Sequence, residues 1–212
     1  MKTLRSIILV LLLSPALSLA QGLKPIALPA PQTDGGMPLM QALKNRHSTR
    51  EFSSQKLPPQ VLSNLLWAAF GINRSDGKRT APSAMNWQET DIYVAAADGL
   101  YVYDPKGNKL DPVVAQDLRD ATGRQPFVKD APISLVYVAD LAKVTGGSAE
   151  DKILYTGADA GFIAQNAYLF CASEGLNVVV RGGIPRDTLA AAMKLRPNQK
   201  IMLAQTIGYP KK

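Results

Sequence analysis

The run Ile133-Ser134-Leu135-Val136-Tyr137-Val138-Ala139 has the length of a strand and almost no polar interruption. Successive side chains of a strand point to opposite faces, so a run without alternation is buried on both. A chain holding such a strand has to cover it from two sides. Further strands are predicted at Ile92–Ala95, Val178–Val180 and Ile201–Ile207. Leu100–Tyr103 and Asn108–Leu110 flank the turn residues Asp104-Pro105-Lys106-Gly107, which predicts a hairpin.

Helical segments fall between these strands. Met37, Met40 and Leu43 have helical spacing, and Pro59 opens an amphipathic helix carrying Val61, Leu62, Leu65, Leu66 and Ala69. That helix ends near Gly71, and Asn73–Gln88 reads as a long polar loop. Val113–Leu118 and Pro185–Leu195 are predicted helical. The longest pattern is Ser148–Glu174, where Ser148 is a capping residue and Gly157 and Gly161 weaken the interior while allowing close packing. Helices and strands interleaved with a hairpin make the class α+β or three-layer α/β.

The first twenty residues read as a cleavable signal peptide. Lys2 and Arg5 precede an unbroken apolar run from Ile7 to Leu13, followed by the small-residue site Ser18-Leu19-Ala20. The run is shorter than the roughly 20 residues that span a bilayer, although an uncleaved anchor is the alternative. A periplasmic or secreted protein is therefore expected, without stable membrane insertion. Removing residues 1–20 leaves 192 of the 212, the size of one domain. Residues 21–36, rich in proline and glycine, read as a flexible arm, and residues 37–212 as a single domain. The net charge of +7 falls to about +5 with the loss of Lys2 and Arg5. No basic block or stripe accompanies it, so a nucleic-acid partner is not expected. The lone Cys171 rules out an internal disulfide and fits a buried small hydrophobe, and the lone His47 has no companions at metal-site spacing.

Arg46-His47-Ser48-Thr49-Arg50 carries the chemistry. A guanidinium, a hydroxyl and a second guanidinium occupy alternate positions, which share one face of an extended backbone. Arginine forks and a hydroxyl suit phosphate, so the three groups are read as converging on one anion. A solvated surface turn is the plain alternative. No G-x-S-x-G elbow is present, and no dedicated acid, base or nucleophile is evident.

Four further segments keep company with this clamp: Pro82-Ser83-Ala84-Met85-Asn86-Trp87-Gln88, Gly161–Asn166, Val180-Arg181-Gly182-Gly183-Ile184-Pro185 and Thr206-Ile207-Gly208-Tyr209-Pro210. With R-H-S-T-R in front, their order and spacing resemble the nitroreductase family of FMN-dependent flavoproteins, from about Met37 to Pro210. Leu66–Arg74 and Gly99–Pro105 resemble the branch containing azoline-oxidising peptide dehydrogenases. The resemblance implies an α+β, three-layer fold with a central, mainly antiparallel sheet flanked by helices, in a homodimer with FMN at the interface.

By the same resemblance, Arg46 and Ser48, with His47 beside them, would hold the FMN phosphate, and Arg50 would reach the pyrimidine edge. A cation there favours the reduced ring. Gly183, with Gly182, would bring backbone N–H to flavin N5. Pro82, Ser83, Ala84 and Asn86 would contact the flavin from the partner subunit, and Gln125 is a further candidate for the pyrimidine edge. Many family members add basic residues well beyond G-Y-P, whereas here Lys211 and Lys212 follow Pro210 directly. They, or Arg181, are the candidates to supply that charge. The implied function is an exported oxidoreductase passing hydride or electrons through flavin N5 to or from a small molecule or peptide. The electron donor is unassigned. A peptide azoline dehydrogenase and a non-catalytic FMN carrier are the alternatives.

Overall fold

The computed structural model describes residues 22–211. The expected signal peptide and Lys212 lie outside that range. Among the described residues seven strands are present: β1 (Ile26–Ala27), β2 (Thr90–Ala96), β3 (Gly99–Asp104), β4 (Lys109–Val114), β5 (Ile133–Asp140), β6 (Asn177–Arg181) and β7 (Gln199–Gly208). They form one sheet in the order β1-β4-β3-β2-β5-β7-β6, with every neighbouring pair antiparallel. Four α-helices among the described residues accompany it: α1 (Leu39–Asn45), α2 (Pro59–Phe70), α3 (Ala149–Glu174) and α4 (Arg186–Ala192).

β5 lies inside this sheet, and all eight of its residues are buried. Its odd residues Leu135 and Tyr137 join Leu65, Leu66, Ile163 and Ala167 of α2 and α3 in one apolar cluster. The even residues Val136 and Val138 join Leu118, Ile184, Leu189 and Met193 on the opposite face, where α4 packs. The unalternated sequence of β5 thus produces three layers, as expected. Tyr137 and Gln205 satisfy each other beneath α3, and Gln205 Nε2 donates to the Ala164 carbonyl at 3.1 Å.

The local signals of the sequence set most boundaries. Pro59 opens α2 and Gly71 caps its end. The hairpin closes where Asp104 pairs with Lys109. Ser148 caps α3 through a reciprocal pair: the Asp151 N–H donates to Ser148 Oγ at 3.1 Å and the Ser148 N–H to Asp151 Oδ2 at 3.0 Å. Gly175, at φ 68°, ends that helix in the left-handed conformation.

Three expectations need correction. Val113–Leu118 is not a helix: Val113 and Val114 belong to β4, and Leu100 pairs with Val114 across an irregularity in the ladder. Six residues are too few for periodicity to outweigh a strand pairing. Val178–Val180, by contrast, is a strand as expected, within β6, and Val178 and Val179 are buried although β6 lies at the sheet edge. Its open side is taken by Thr49, whose N–H donates to the Val178 carbonyl at 3.0 Å while the Val178 N–H donates to Thr49 Oγ1 at 2.9 Å. Within the arm, Ile26 and Ala27 pair with β4, and the Pro29 carbonyl accepts from Ser63 Oγ at 2.5 Å. A side chain at Gly157 or Gly161 would meet nothing within 4 Å, so these glycines do not serve close packing among the described residues.

The cap of α3 is testable. Ser148→Ala removes the acceptor for the Asp151 N–H, and a loss of about 0.5–2 kcal/mol is expected in a urea titration. An unchanged midpoint would show that the cap contributes nothing to the stability of the folded chain.

Candidate active site

The end of β6 gathers the segments that the sequence singled out. Arg46 caps α1, and from there the chain runs extended beside β6. Arg46 and Ser48 meet on one side chain, Tyr168 of α3. The Arg46 guanidinium lies 5.3 Å from the ring centroid, and Ser48 Oγ is 2.7 Å from the phenol oxygen. The same oxygen accepts the Val180 N–H at 2.9 Å, which ties the clamp to the edge strand. His47 is exposed, its Nδ1 2.6 Å from the Asn45 carbonyl.

Arg50 does not join this group. It borders a cleft with Glu51, Phe52, Phe127, Asp130 and Lys211. Alternation puts Arg46, Ser48 and Arg50 at equivalent positions, but the chain gives Arg50 different company. Lys211 sits with Arg50 rather than with Arg46 and Ser48.

Gly182 and Gly183 are exposed at the end of β6. The Ile184 N–H donates to the Gly182 carbonyl at 3.0 Å, closing a three-residue turn with Gly183 at its apex. Arg186 Nη1 donates to the same carbonyl at 3.1 Å and fixes the turn to α4. Among the described residues the Gly183 N–H donates to no other backbone group outside the helices and strands.

Behind this turn lies a buried cation. Arg181 is 5% exposed, and its guanidinium donates to the Thr122 carbonyl at 2.6 Å and to Thr206 Oγ1 at 2.9 Å. No carboxylate pairs with it among the described residues, its Nε has no partner, and burial pulls its pKa down to about 10. It remains charged at neutral pH, but it is committed to the Thr122 segment and is not free to complete a phosphate site. Gly123 is required here, because a Cβ at this position would overlap the Arg181 guanidinium. The segment so held presents Gln125, whose Nε2 would lie 3.7 Å from a Cβ at Gly183. Gln125 Oε1 is buried without a partner. A buried acceptor left open is costly unless something donates to it.

The remaining loop stands apart from Gly183. Ala84–Asn86 forms a 3₁₀ turn, with Pro82 and Asn86 exposed and Ser83 and Ala84 half-buried. Its contacts run to α3: the Ala84 N–H donates to Asp159 Oδ2 at 2.9 Å, and Trp87 stacks edge-on against Tyr155 at 6.1 Å. Asn166 donates weakly to the Ala69 carbonyl of α2 at 3.4 Å, a helix-packing contact, while Gln165 is exposed. Cys171 is buried, and burial pushes its thiol up, away from reactivity. Sequence reasoning missed Tyr168, Thr122 and Gly123. Only the spacing of Tyr168 on the buried stripe of α3 hinted at the first. The other two depend on where Arg181 turns. Among the described residues no group of three or more His, Cys, Asp and Glu side chains could hold a metal ion, and no helix is long and apolar enough to cross a membrane.

What the site offers is a half-buried cation and an exposed hydroxyl against Tyr168, a backbone N–H at a glycine apex, and the Gln125 amide beside it. That donor set suits a phosphorylated ligand with a planar head bearing both an acceptor and an N–H. The nitroreductase family matches residues 43–209, and the chain belongs to that family. A crystal structure of a nitroreductase-type protein from Ralstonia eutropha JMP134 is 46% identical, with a TM-score of 0.86, covering 92% of this chain and 93% of that one. A nitroreductase-type protein of Methanocaldococcus jannaschii is 32% identical over 168 residues, 74% of this chain and 85% of its own. Two more distant structures share the fold. One is a nitroreductase-type protein of Desulfovibrio desulfuricans in complex with FMN, at 24% identity, TM-score 0.61 and coverage of 83% and 88%. The other is a chain of the Escherichia coli microcin synthetase complex, at 19% identity, TM-score 0.69 and coverage of 88% and 78%.

The tightness at Gly123 is itself testable. Gly123→Ala is expected to displace Arg181 from Thr122 and Thr206 and to cost about 1–3 kcal/mol in a denaturant titration. Wild-type stability in this variant would show that Arg181 can move without loss.

Proposed function

We propose that this chain is an exported, FMN-dependent oxidoreductase that works as a homodimer on a small molecule or peptide. The observation that carries the reading is the meeting of two polar groups: the Gln125 amide, with Nε2 toward Gly183 and a buried Oε1 that has no partner, and the Gly183 N–H at the turn apex. An isoalloxazine ring meets both needs, since its pyrimidine half has an imide N–H and its N5 accepts a hydrogen bond. The FMN complex of the Desulfovibrio desulfuricans relative supports the choice of cofactor.

The residues present fit the group. Arg46 and Ser48 would hold the phosphate, with Tyr168 fixing both donors in place. Gln125 would accept from the ring imide, and Gly183 would donate at N5. Arg50 would supply the cation that favours a reduced, negatively charged ring. Bound FMN supplies hydride transfer at N5, so the protein needs no acid, base or nucleophile of its own. Outside the inner membrane little nicotinamide cofactor is expected, and a different electron donor fits the export signal better.

The apolar surface supports a dimer. Met40 of α1 is 76% exposed, Leu154 of α3 66% and Met85 of the 3₁₀ turn 82%. Phe162 is also exposed beside the unfilled Gly161 on α3. A second copy packed on this surface would cover it and bring Pro82, Ser83, Ala84 and Asn86 to the flavin of its partner.

The mature chain is expected to purify yellow, or to turn yellow on addition of FMN, and to bleach under anaerobic reductants. A colourless protein that FMN cannot reconstitute would overturn the reading. Bound FMN that no donor reduces would make the protein a flavin carrier. Arg46→Ala removes a charge-assisted phosphate contact of roughly 1.5–3 kcal/mol, so FMN affinity is expected to fall about ten- to a hundredfold. Unchanged affinity in a fluorescence titration removes Arg46 from the site. Light scattering that finds a folded monomer still holding FMN contradicts the shared site.

A further inference from the structure

The Ser83–Gln88 loop is held in a conformation that its own residues disfavour. Met85, Asn86 and Gln88 stand at φ 51°, 56° and 46°, in the left-handed region that a Cβ makes unfavourable. Three such residues in four positions persist only when the surroundings impose them. The imposing groups lie beneath the loop, and two of them are carboxyls.

Glu89 is 0% exposed and Asp159 2%, and neither forms an ion pair within 4.0 Å with any described residue. Asp159 Oδ2 accepts the Ala84 N–H at 2.9 Å. Glu89 Oε2 accepts the Ser83 hydroxyl at 3.2 Å, and Ser83 Oγ in turn accepts the Gln88 N–H at 2.8 Å. Both ends of the strained loop therefore terminate on this pair. Thr90 Oγ1 donates to Glu89 Oε1 at 3.1 Å, and the two carboxyls are anchored on adjacent loop residues, Glu89 on Ser83 and Asp159 on Ala84.

Two neighbouring buried carboxyls with no cation to balance them are costly to ionise together, so one of them keeps a proton. Asp159 receives a backbone N–H, which favours its anion. Burial, and then the negative charge of Asp159, holds Glu89 above the usual carboxylate range. Burial raises Asp159 as well, against the bonds it accepts. The charged groups on neighbouring elements are engaged elsewhere. Arg79 bonds Gln88 Oε1 at 2.7 Å and the Phe70 carbonyl at 3.1 Å, Lys143 pairs with Asp91 at 3.1 Å, and Arg196 pairs with Asp140 at 2.6 Å. On α3 the nearest titratable side chains before Asp159 are Tyr155, set against Trp87, and Lys152.

We propose that Glu89 and Asp159 share one proton and that this proton latches the Ser83–Gln88 loop, so that both are positioning residues for Ser83, Ala84 and Asn86. The inference rests on the reading of this loop as the flavin-facing loop of the partner subunit. When the proton leaves Glu89 for solvent, two buried anions stand under one loop without a cation, their repulsion drives them apart, and the Ala84 N–H and Ser83 hydroxyl lose fixed acceptors. The strained residues are then free to return to negative φ. The sign follows from linkage. An unfolded glutamate ionises near 4.5, whereas the native pair keeps its proton to higher pH. Stability conferred by the latch therefore falls as pH rises through that window.

The test is amide hydrogen exchange of the mature protein, read on peptides covering Ala84–Gln88 from acidic to alkaline pH and corrected for the intrinsic rate. Protection in the wild type is expected to fall by up to about tenfold once the shared proton is lost. Glu89→Gln keeps the shape and an acceptor for the Ser83 hydroxyl but has no proton to lose, and its protection is expected to stay high at every pH. Glu89→Ala is expected to be open throughout. Asp159→Asn is expected to flatten the profile from the other side, its amide standing in for the proton. A flat wild-type profile, or a Glu89→Gln loop as open as that of Glu89→Ala, overturns the latch. FMN titrations on the same samples separate this inference from the reading beneath it. Exchange that follows the latch while FMN affinity stays constant keeps the shared proton and removes the loop from the flavin site.

Discussion

The two-sided burial of β5 is the constraint on which the rest of this molecule depends. A strand apolar on both faces cannot sit at a surface, so helices must cover it from opposite sides. Leu135 and Tyr137 bind the sheet to α2 and α3, and Val136 and Val138 bind it to the layer of α4. The pairing of β5 with β2 and β7 then fixes where the outer strands lie, β6 at one edge and β1 at the other. With no disulfide available to the single cysteine, this packing is what holds the domain.

The candidate site forms where that scheme ends. β6 is an edge strand, and an edge leaves backbone groups open to whatever lies beside it. Thr49 takes part of the edge, Tyr168 takes the Val180 N–H, and Gly182 and Gly183 leave the strand into a turn. A buried guanidinium, Arg181, links that turn to the Thr122 segment and so sets Gln125 beside Gly183. Among the described residues the charge is balanced by no carboxylate but is shared among the Thr122 carbonyl and the hydroxyls of Thr122, Ser134 and Thr206, an arrangement that stiffens the floor of the site.

A second group of strained and buried residues lies under the Ser83–Gln88 loop. Left-handed residues there and a carboxyl pair beneath them are costly features for an isolated fold, and such departures from local rules gather where a protein works. Met85 on the same loop, Met40 on α1 and Leu154 and Phe162 on α3 are exposed apolar side chains.

Much of the fold was legible in the sequence because its signals are local. The unbroken β5 run, Pro59 at the start of α2, Ser148 at the cap of α3 and the Asp104–Gly107 turn each act within a few residues. The family was legible for a related reason, since short motifs in a fixed order survive as text. What the sequence could not decide was company. Periodicity set Arg46, Ser48 and Arg50 on one face, yet Tyr168, more than a hundred residues away, gathers only the first two. Arg181 read as a free charge until burial committed it to Thr122, and Val113–Leu118 read as a helix until pairing with β3 made part of it a strand. Glu89 and Asp159 lie seventy positions apart and became a pair only when α3 packed over β2. The sequence by itself determined most of the strands, helices and turns, because those preferences are written in neighbouring residues. Only the tertiary structure decided which polar groups are buried together, because burial is a property of the packed whole.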